Sequence, residues 1–267
     1  MNISSKLEDS GAQHLPLAGK NGLVIGLAND SSIAAGCLRA FHGAGANICA
    51  TFQSEKAWRF VKPVAEQVEG VTFTALDVED DDALDRLFNA LTDDWGKLDF
   101  VLHAVAFCPK DDLHARVTDC SRAGFLKAMD VSVHSFIRLA NRAEPLMTDG
   151  GALLTLSYFG AEKVVENYNI MGPVKSALES TTRYLAADLG PKGIRVNALS
   201  PGPIMTRAAS GIGHFDDLVE DTIKRAPQRR LVSIEDVGQF AAFLASDAAK
   251  SITGNVSYVD SGFHIIA

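Results

Sequence analysis

The chain alternates short apolar, β-branched runs with longer segments whose apolar residues recur at helical spacing. The runs lie at 22–26 (GLVIG), 47–52 (NICATF), 71–76 (VTFTAL), 98–105 (LDFVLHAV), 151–157 (GALLTLS), 193–199 (GIRVNAL) and 254–260 (GNVSYVD). Each predicts a strand. Helical period recurs at 33–42, 79–95, 122–147, 174–189 and 234–246, with glycine ends at 43–45 (GAG) and 189–190 (LG), where left-handed caps commonly close a helix. Continuous apolar strands joined by helices pack as a parallel sheet covered on both faces. The pattern therefore predicts an α/β fold, a doubly wound, Rossmann-type parallel sheet of about seven strands in a single domain. Ligands of such sheets gather at the strands' C-terminal ends.

Composition narrows this reading. A chain of 267 residues, 47% hydrophobic and 22% charged, can bury one large core. Its nine Pro and 22 Gly are scattered at turn positions, without a linker, repeat or low-complexity run. Residues 1–18 are polar and read as a mobile tail, leaving 19–267 as one dinucleotide-binding domain. The tail has neither a cationic front nor an apolar stretch long enough for a secretory signal or membrane span. A net charge of −8 argues against the concentrated basic face that nucleic acid requires. Cys37, Cys49, Cys108 and Cys120 form no C-x-x-C pair and have no histidine at metal-ligand spacing. The expectation is a metal-free protein of the reducing cytoplasm, without a nucleic-acid or membrane partner.

Three strand ends carry candidate chemistry. At the first, IGLANDSSIAAG (25–36), Gly26 allows a sharp turn, and a helix starting near Ser32 and Ile33 offers free N–H groups and a positive dipole end to a pyrophosphate. The G-x-G-x-x-G fingerprint is missing, so an ordinary capped turn explains this segment equally well. At the second, neutral Gln53 stands where an acid would select a ribose hydroxyl and an arginine a 2′-phosphate. Nearby Glu55 favours NADH, while Lys56 keeps NADPH open. At the third, Asp77 and Val78 offer an edge to an adenine, although Asp77 could equally cap the helix that follows.

The segment LSYFGAEKVVENYNIMGPVKSALES (156–180) concentrates Tyr158, Tyr168 and Lys175. If the chain is helical from Tyr168 to Lys175, the seven-residue spacing puts both on one face within about 20°. That requires Pro173 to fall in the first turn, where its missing N–H costs nothing. A cation beside a phenol lowers its pKa from about 10, and a donor aimed at developing oxyanion charge suits reduction of a conjugated carbonyl.

These residues resemble the short-chain dehydrogenase/reductase family, in the divergent branch that holds the NADH-dependent bacterial enoyl-acyl-carrier-protein reductases. The resemblance runs through essentially all of the chain after residue 18. It rests on Tyr168-x6-Lys175 with an upstream Tyr158, on RVNALSPGPIMTRAASGIG (195–213), on IEDVGQFAAFLASD (234–247) and on the terminal ITGNVSYVDSGF. An ordinary ketone-reducing member has Tyr-x3-Lys, which would place its tyrosine at Met171.

The resemblance implies that Gly26, Ser32, Ile33, Gln53, Asp77, Val78, Val105 and Ala106 line the dinucleotide, with Ile204, Met205 and Thr206 near its nicotinamide and pyrophosphate. Lys175 would hold the nicotinamide ribose, Tyr168 the enolate oxygen of a trans-2-enoyl thioester, and Tyr158 and Cys108 the substrate pocket. It also implies a homotetramer. The loop at about 201–225, with Gly202, Gly211, Gly213 and the small residues Ala208, Ala209 and Ser210, follows a strand's C-terminal end and is expected to form a substrate lid, a merely mobile connection being the alternative.

Two departures from the pattern are visible. Ala106 replaces a common glycine, and Gly213, Asp216 and Asp217 stand where relatives present basic residues to an acidic carrier. Lys224, Arg225, Arg229 and Arg230 compensate in one reading; in another the carrier is coenzyme A. A ketone or alcohol oxidoreductase and a non-catalytic dinucleotide sensor with a protein partner stay open as alternatives.

Overall fold

The computed structural model describes residues 15–206 and 215–266, the side chains of residues 215–217 excepted. Seven strands form one sheet: β1 (Asn21–Ile25), β2 (Asn47–Phe52), β3 (Thr72–Ala75), β4 (Phe100–His103), β5 (Gly151–Leu156), β6 (Ile194–Pro201) and β7 (Val256–Val259). Every pairing is parallel, in the order β3-β2-β1-β4-β5-β6-β7. The winding direction reverses between β1 and β4, opening a crevice at their C-terminal ends.

The helices are α1 (Ile33–Gly43), α2 (Trp58–Ala65), α3 (Asp81–Trp95), α4 (Lys110–His114), α5 (Arg122–Met129), α6 (Ser135–Ala143), α7 (Met171–Leu189), α8 (Phe215–Arg225) and α9 (Ile234–Ala245). They cover both faces. On one, α1 packs on α9 so tightly that a Cβ on Gly238 would lie 2.4 Å from the Gly36 carbonyl. That core includes Leu17, Phe41, Phe100 and Leu244, all fully buried. On the other, α3, α6 and α7 bury Leu84, Phe136, Val174 and Leu178 against the sheet.

All seven expected strands form, within a few residues of their expected ends. The expected helix at 122–147 is interrupted. A π-helical turn at Asp130–His134 separates α5 from α6, and Ser132 uses it to reach Phe107, accepting from its N–H at 3.0 Å and donating to its carbonyl. The last four residues of the expected tail, 15–18, belong to the fold, while residues 1–14 lie outside the described residues. Residues 15–18 form a turn, and Leu17 is fully buried with its N–H donated to the Ala44 carbonyl, because an apolar side chain at the sheet's rim gains more from burial than a tail gains from freedom.

Candidate active site

The strands deliver the candidate residues to one edge of the sheet. Gly26 directly follows β1, Gln53 follows β2, Asp77 and Val78 lie just beyond β3, and Val105, Ala106 and Cys108 follow β4. Tyr158 comes two residues after β5, and Ile204, Met205 and Thr206 lie just beyond β6.

Gly26 has φ +99°, and a Cβ there would sit 2.5 Å from the Ala104 carbonyl. Only glycine lets β1 turn this closely against the β4 end. The turn leads to α1, where Ser32 is the N-cap: its hydroxyl accepts from Ala35 N and donates to the Asn29 carbonyl at 2.7 Å. A helix of 11 residues thus points its positive end at the crevice, which fits a dinucleotide pyrophosphate. Gln53 and Asp77 are exposed at the rim. Asp77 is not the cap of α3; it accepts from Glu79 N in a local turn, and Asp80 caps the helix. Val78 and Ile204 pack into the two cores, while Met205 is exposed.

Tyr168 is not helical. It lies in a turn before α7, between Asn167 at φ +62° and Asn169 at φ +45°, a left-handed conformation that asparagine tolerates better than most residues. Asn169 ties the turn to α4 by donating to the Leu113 carbonyl at 2.9 Å. The turn drives the Tyr168 ring against Tyr158, with centroids 4.8 Å apart in an edge-on arrangement. Gly160 makes room for this, since a Cβ there would lie 2.4 Å from the Tyr168 ring. The helical face-sharing inferred from the seven-residue spacing is therefore incorrect, and the two phenols meet through the turn instead. Pro173 falls in the first turn of α7, where it disturbs no hydrogen bond, and Met171 is buried in the core.

The electrostatics also correct the expectation. Burial, followed by the nearby Tyr158 and Glu179, pushes the Tyr168 phenol above its ordinary range, and burial raises Tyr158 to about 12. Both are neutral donors at physiological pH. Lys175 is 6% exposed and donates to the Leu156 carbonyl at 2.7 Å. Burial lowers its pKa to about 8, against an opposing pull from Glu179. Beneath it, His103 bridges Thr155 Oγ1 at 2.9 Å and Ser135 Oγ at 2.8 Å and stacks on Phe136. Burial, with help from Lys175, lowers His103 to about 3, so this histidine is a neutral structural member. Burial raises Cys108 to about 11, which leaves it an unreactive thiol on the loop after β4.

The sequence matches the family described as Enoyl-(Acyl carrier protein) reductase across residues 26–264. The chain belongs to the enoyl-acyl-carrier-protein reductase family. It is 49% identical to the enoyl-acyl-carrier-protein reductase (NADH) 1 of Rhizobium meliloti over 93% of this chain and 91% of that one. It is 46% identical to the NADH enzyme of Nostoc over 94% and 99% of the two chains. Among solved reductases, the Anaplasma phagocytophilum protein in complex with NAD superposes with a TM-score of 0.91 at 45% identity, covering 95% of this chain and 97% of that one. The Bacillus cereus reductase with NADP+ and an indole naphthyridinone gives 0.92 at 43%, covering 94% and 99%.

Of the lid expected at 201–225, residues 207–214, with Ser210, Gly211 and Gly213, lie outside the described residues, as do the side chains of Asp216 and Asp217; the following segment forms α8. Spacing alone missed Ser157, Glu179 and His103. The parallel pairing of β4 with β5 sets His103 beside Thr155, and Ser157, just after β5, meets Glu179, four residues beyond Lys175 on α7.

Proposed function

We propose that this chain is an NADH-dependent enoyl-acyl-carrier-protein reductase that saturates the double bond of a trans-2-enoyl thioester. The observation that carries the reading is the pair of neutral, packed phenols, Tyr158 and Tyr168, at the same sheet edge as a buried Lys175. When bound, the reduced nicotinamide supplies the hydride that adds to the β-carbon of the thioester. The chain's own work is electrostatic. Adding hydride to the β-carbon moves negative charge to the thioester oxygen, and Tyr168 donates a hydrogen bond to it. Because burial keeps this phenol protonated, it serves as a donor over the whole physiological pH range.

Gly26, Ser32 and Ile33 cradle the pyrophosphate, Gln53 meets the adenosine ribose, Asp77 and Val78 border the adenine, and Lys175 holds the nicotinamide ribose. Val105 and Ala106 line the dinucleotide, with Ile204, Met205 and Thr206 beside the nicotinamide and pyrophosphate. Tyr158 and Cys108 border the substrate. Gln53 carries no charge to repel a 2′-phosphate, so NADPH is the weaker alternative to NADH. Acyl carrier protein is the natural carrier, with coenzyme A thioesters as smaller surrogates. We infer a cytoplasmic homotetramer. Exposed Tyr184 on α7 and exposed Ile265 and Ile266 near the C terminus support self-association, and no helix among the described residues is long and apolar enough to cross a membrane.

Purified protein is expected to oxidise NADH with crotonyl-coenzyme A or an enoyl-carrier thioester and to leave a 3-oxoacyl thioester untouched. Tyr168→Phe is expected to lower kcat about 100-fold, a loss of roughly 3 kcal/mol, with little change in KM. Turnover of ketones without enoyl reduction would overturn the reading. The core position of Met171 already argues against a ketone reductase, since no phenol stands at that spacing.

A further inference from the structure

One turn beyond Lys175 on α7, Glu179 is a second ionisable side chain in the interior, only 7% exposed. Its Oε1 accepts a 2.5 Å hydrogen bond from Ser157 Oγ. Ser157 sits between the two residues that matter most at the end of β5: Leu156, whose carbonyl holds the Lys175 ammonium, and Tyr158, whose ring packs on Tyr168. The carboxylate and the ammonium, four residues apart on one helix face, therefore grip adjacent residues of the same strand end. A buried carboxylate is costly unless it is hydrogen-bonded and has opposite charge nearby, and this one has both.

We propose that Glu179 is a positioning residue: as a carboxylate it fixes Ser157, and with it the Leu156–Tyr158 strand end, and it keeps Lys175 cationic. This rests on the functional reading above. Burial raises the Glu179 carboxyl above its ordinary range, and the Ser157 hydrogen bond, Arg183 and Lys175 oppose that rise. Facing Glu179 are Lys175 and Arg183 from its own helix, Ser157 just after β5, Glu162 from the turn after Tyr158, and Tyr258 of β7, which donates to Glu162 at 2.8 Å. Facing Lys175 are Glu179 and the neutral His103 of β4. Glu179 is thus the one group among these that favours the ammonium.

The test measures kcat/KM and the dissociation constant of NADH against pH for wild type, E179Q and S157A, with circular dichroism confirming the fold. Glutamine keeps an oxygen for Ser157 but loses the charge. If Lys175 must be cationic, the alkaline limb of both profiles moves about one pH unit lower in E179Q. A limb that stays in place in folded E179Q overturns the proposal, because a purely structural Glu179 would lower rates without moving it. S157A decides independently should E179Q fail to fold. Without its donor the carboxylate protonates more readily, so the acid limb moves to higher pH; an acid limb at the wild-type position overturns the proposal. If wild type reduces no enoyl thioester, the functional reading fails, while the NADH binding profiles still judge Glu179.

Discussion

The two faces of the sheet are built to different rules. On one, α1 buries Ala34, Ala35, Gly36, Cys37, Leu38, Ala40 and Phe41, and α9 buries Val237, Gly238, Ala241, Ala242, Leu244 and Ala245. These are small or apolar residues, and the helices meet closely enough to exclude a Cβ. On the other, α7 buries Lys175, Glu179 and Thr182 among its apolar residues, and His103, Thr155 and Ser135 form a hydrogen-bonded chain beneath them. The first face contributes stability through burial at about 25 cal/mol per Å² of apolar surface. The second gives up part of that gain, because each buried ionisable group must be desolvated, and gains a preorganised site in return.

The sharpest way to break this contrast is to damage the apolar face alone. Phe41 is fully buried, with its ring centroid 4.7 Å from that of Phe100. Phe41→Ala is expected to lower unfolding free energy by about 4 kcal/mol, measured by urea denaturation. At low temperature the folded fraction should keep the wild-type kcat. A selective loss of kcat in the folded fraction would mean that the two faces are not separable.

The polar face should reveal itself through pH. His103 has a folded pKa of about 3 against 6.5 in the unfolded chain, so the unfolded state binds the proton first as pH falls. Its contribution to stability is complete above pH 6.5 and is lost as pH drops towards 3. Between pH 7 and pH 4.5 this amounts to about 3 kcal/mol, and His103→Gln, which can still meet Thr155 and Ser135, should remove that part of the acid sensitivity. Equal acid slopes in the two proteins would show that His103 titrates normally.

Lys175 runs the other way along the pH axis. Its folded pKa is near 8 against 10.5 unfolded, so the folded state sheds its proton first. The cofactor-free protein is penalised below pH 8 and recovers as pH rises towards 10.5, by about 2 kcal/mol between pH 7 and pH 9.5. Lys175→Met should lack that recovery and bind NADH poorly. Thermal melts of both proteins across this range, compared as a difference, isolate the lysine from the cysteines and tyrosines that also titrate.

The apolar pattern made the architecture legible. The β-branched runs of β1, β4, β5 and β6 have no other way to bury themselves, and the Gly26 turn and Ser32 cap are written in adjacent residues. Within the site, Tyr158, Tyr168 and Lys175 could be named, but their arrangement could not. Seven-residue spacing suggested a shared helix face, while Asn167 and Asn169, two residues tolerant of left-handed backbone around one tyrosine, were the available signal for a turn. The π-helical turn at 130–134 depends on Ser132 meeting Phe107, 25 residues away, and nothing local announces it. His103 acquires meaning only from the pairing of β4 with β5, Ser157 and Glu179 only from the packing of α7 against the end of β5, and Leu17 only from the rim it covers.

The smallest effect lies where neither face rules, at the exposed rim. Gln53 follows β2 without a charge, and the nearby side chains of Glu55 and Lys56 are opposite in sign and exposed to water. Water screens such charges, so cofactor choice here rests on weak terms that one substitution can tilt. Gln53→Arg places a guanidinium where a 2′-phosphate would lie, and Gln53→Asp places a carboxylate there. The ratio of NADPH to NADH efficiency should rise about fivefold in the first and fall in the second, about 1 kcal/mol each way, with melting temperature unchanged. If both variants kept the wild-type ratio, the adenosine ribose would have to lie away from the end of β2. The buried groups around Lys175 would then have to account for cofactor binding without that contact.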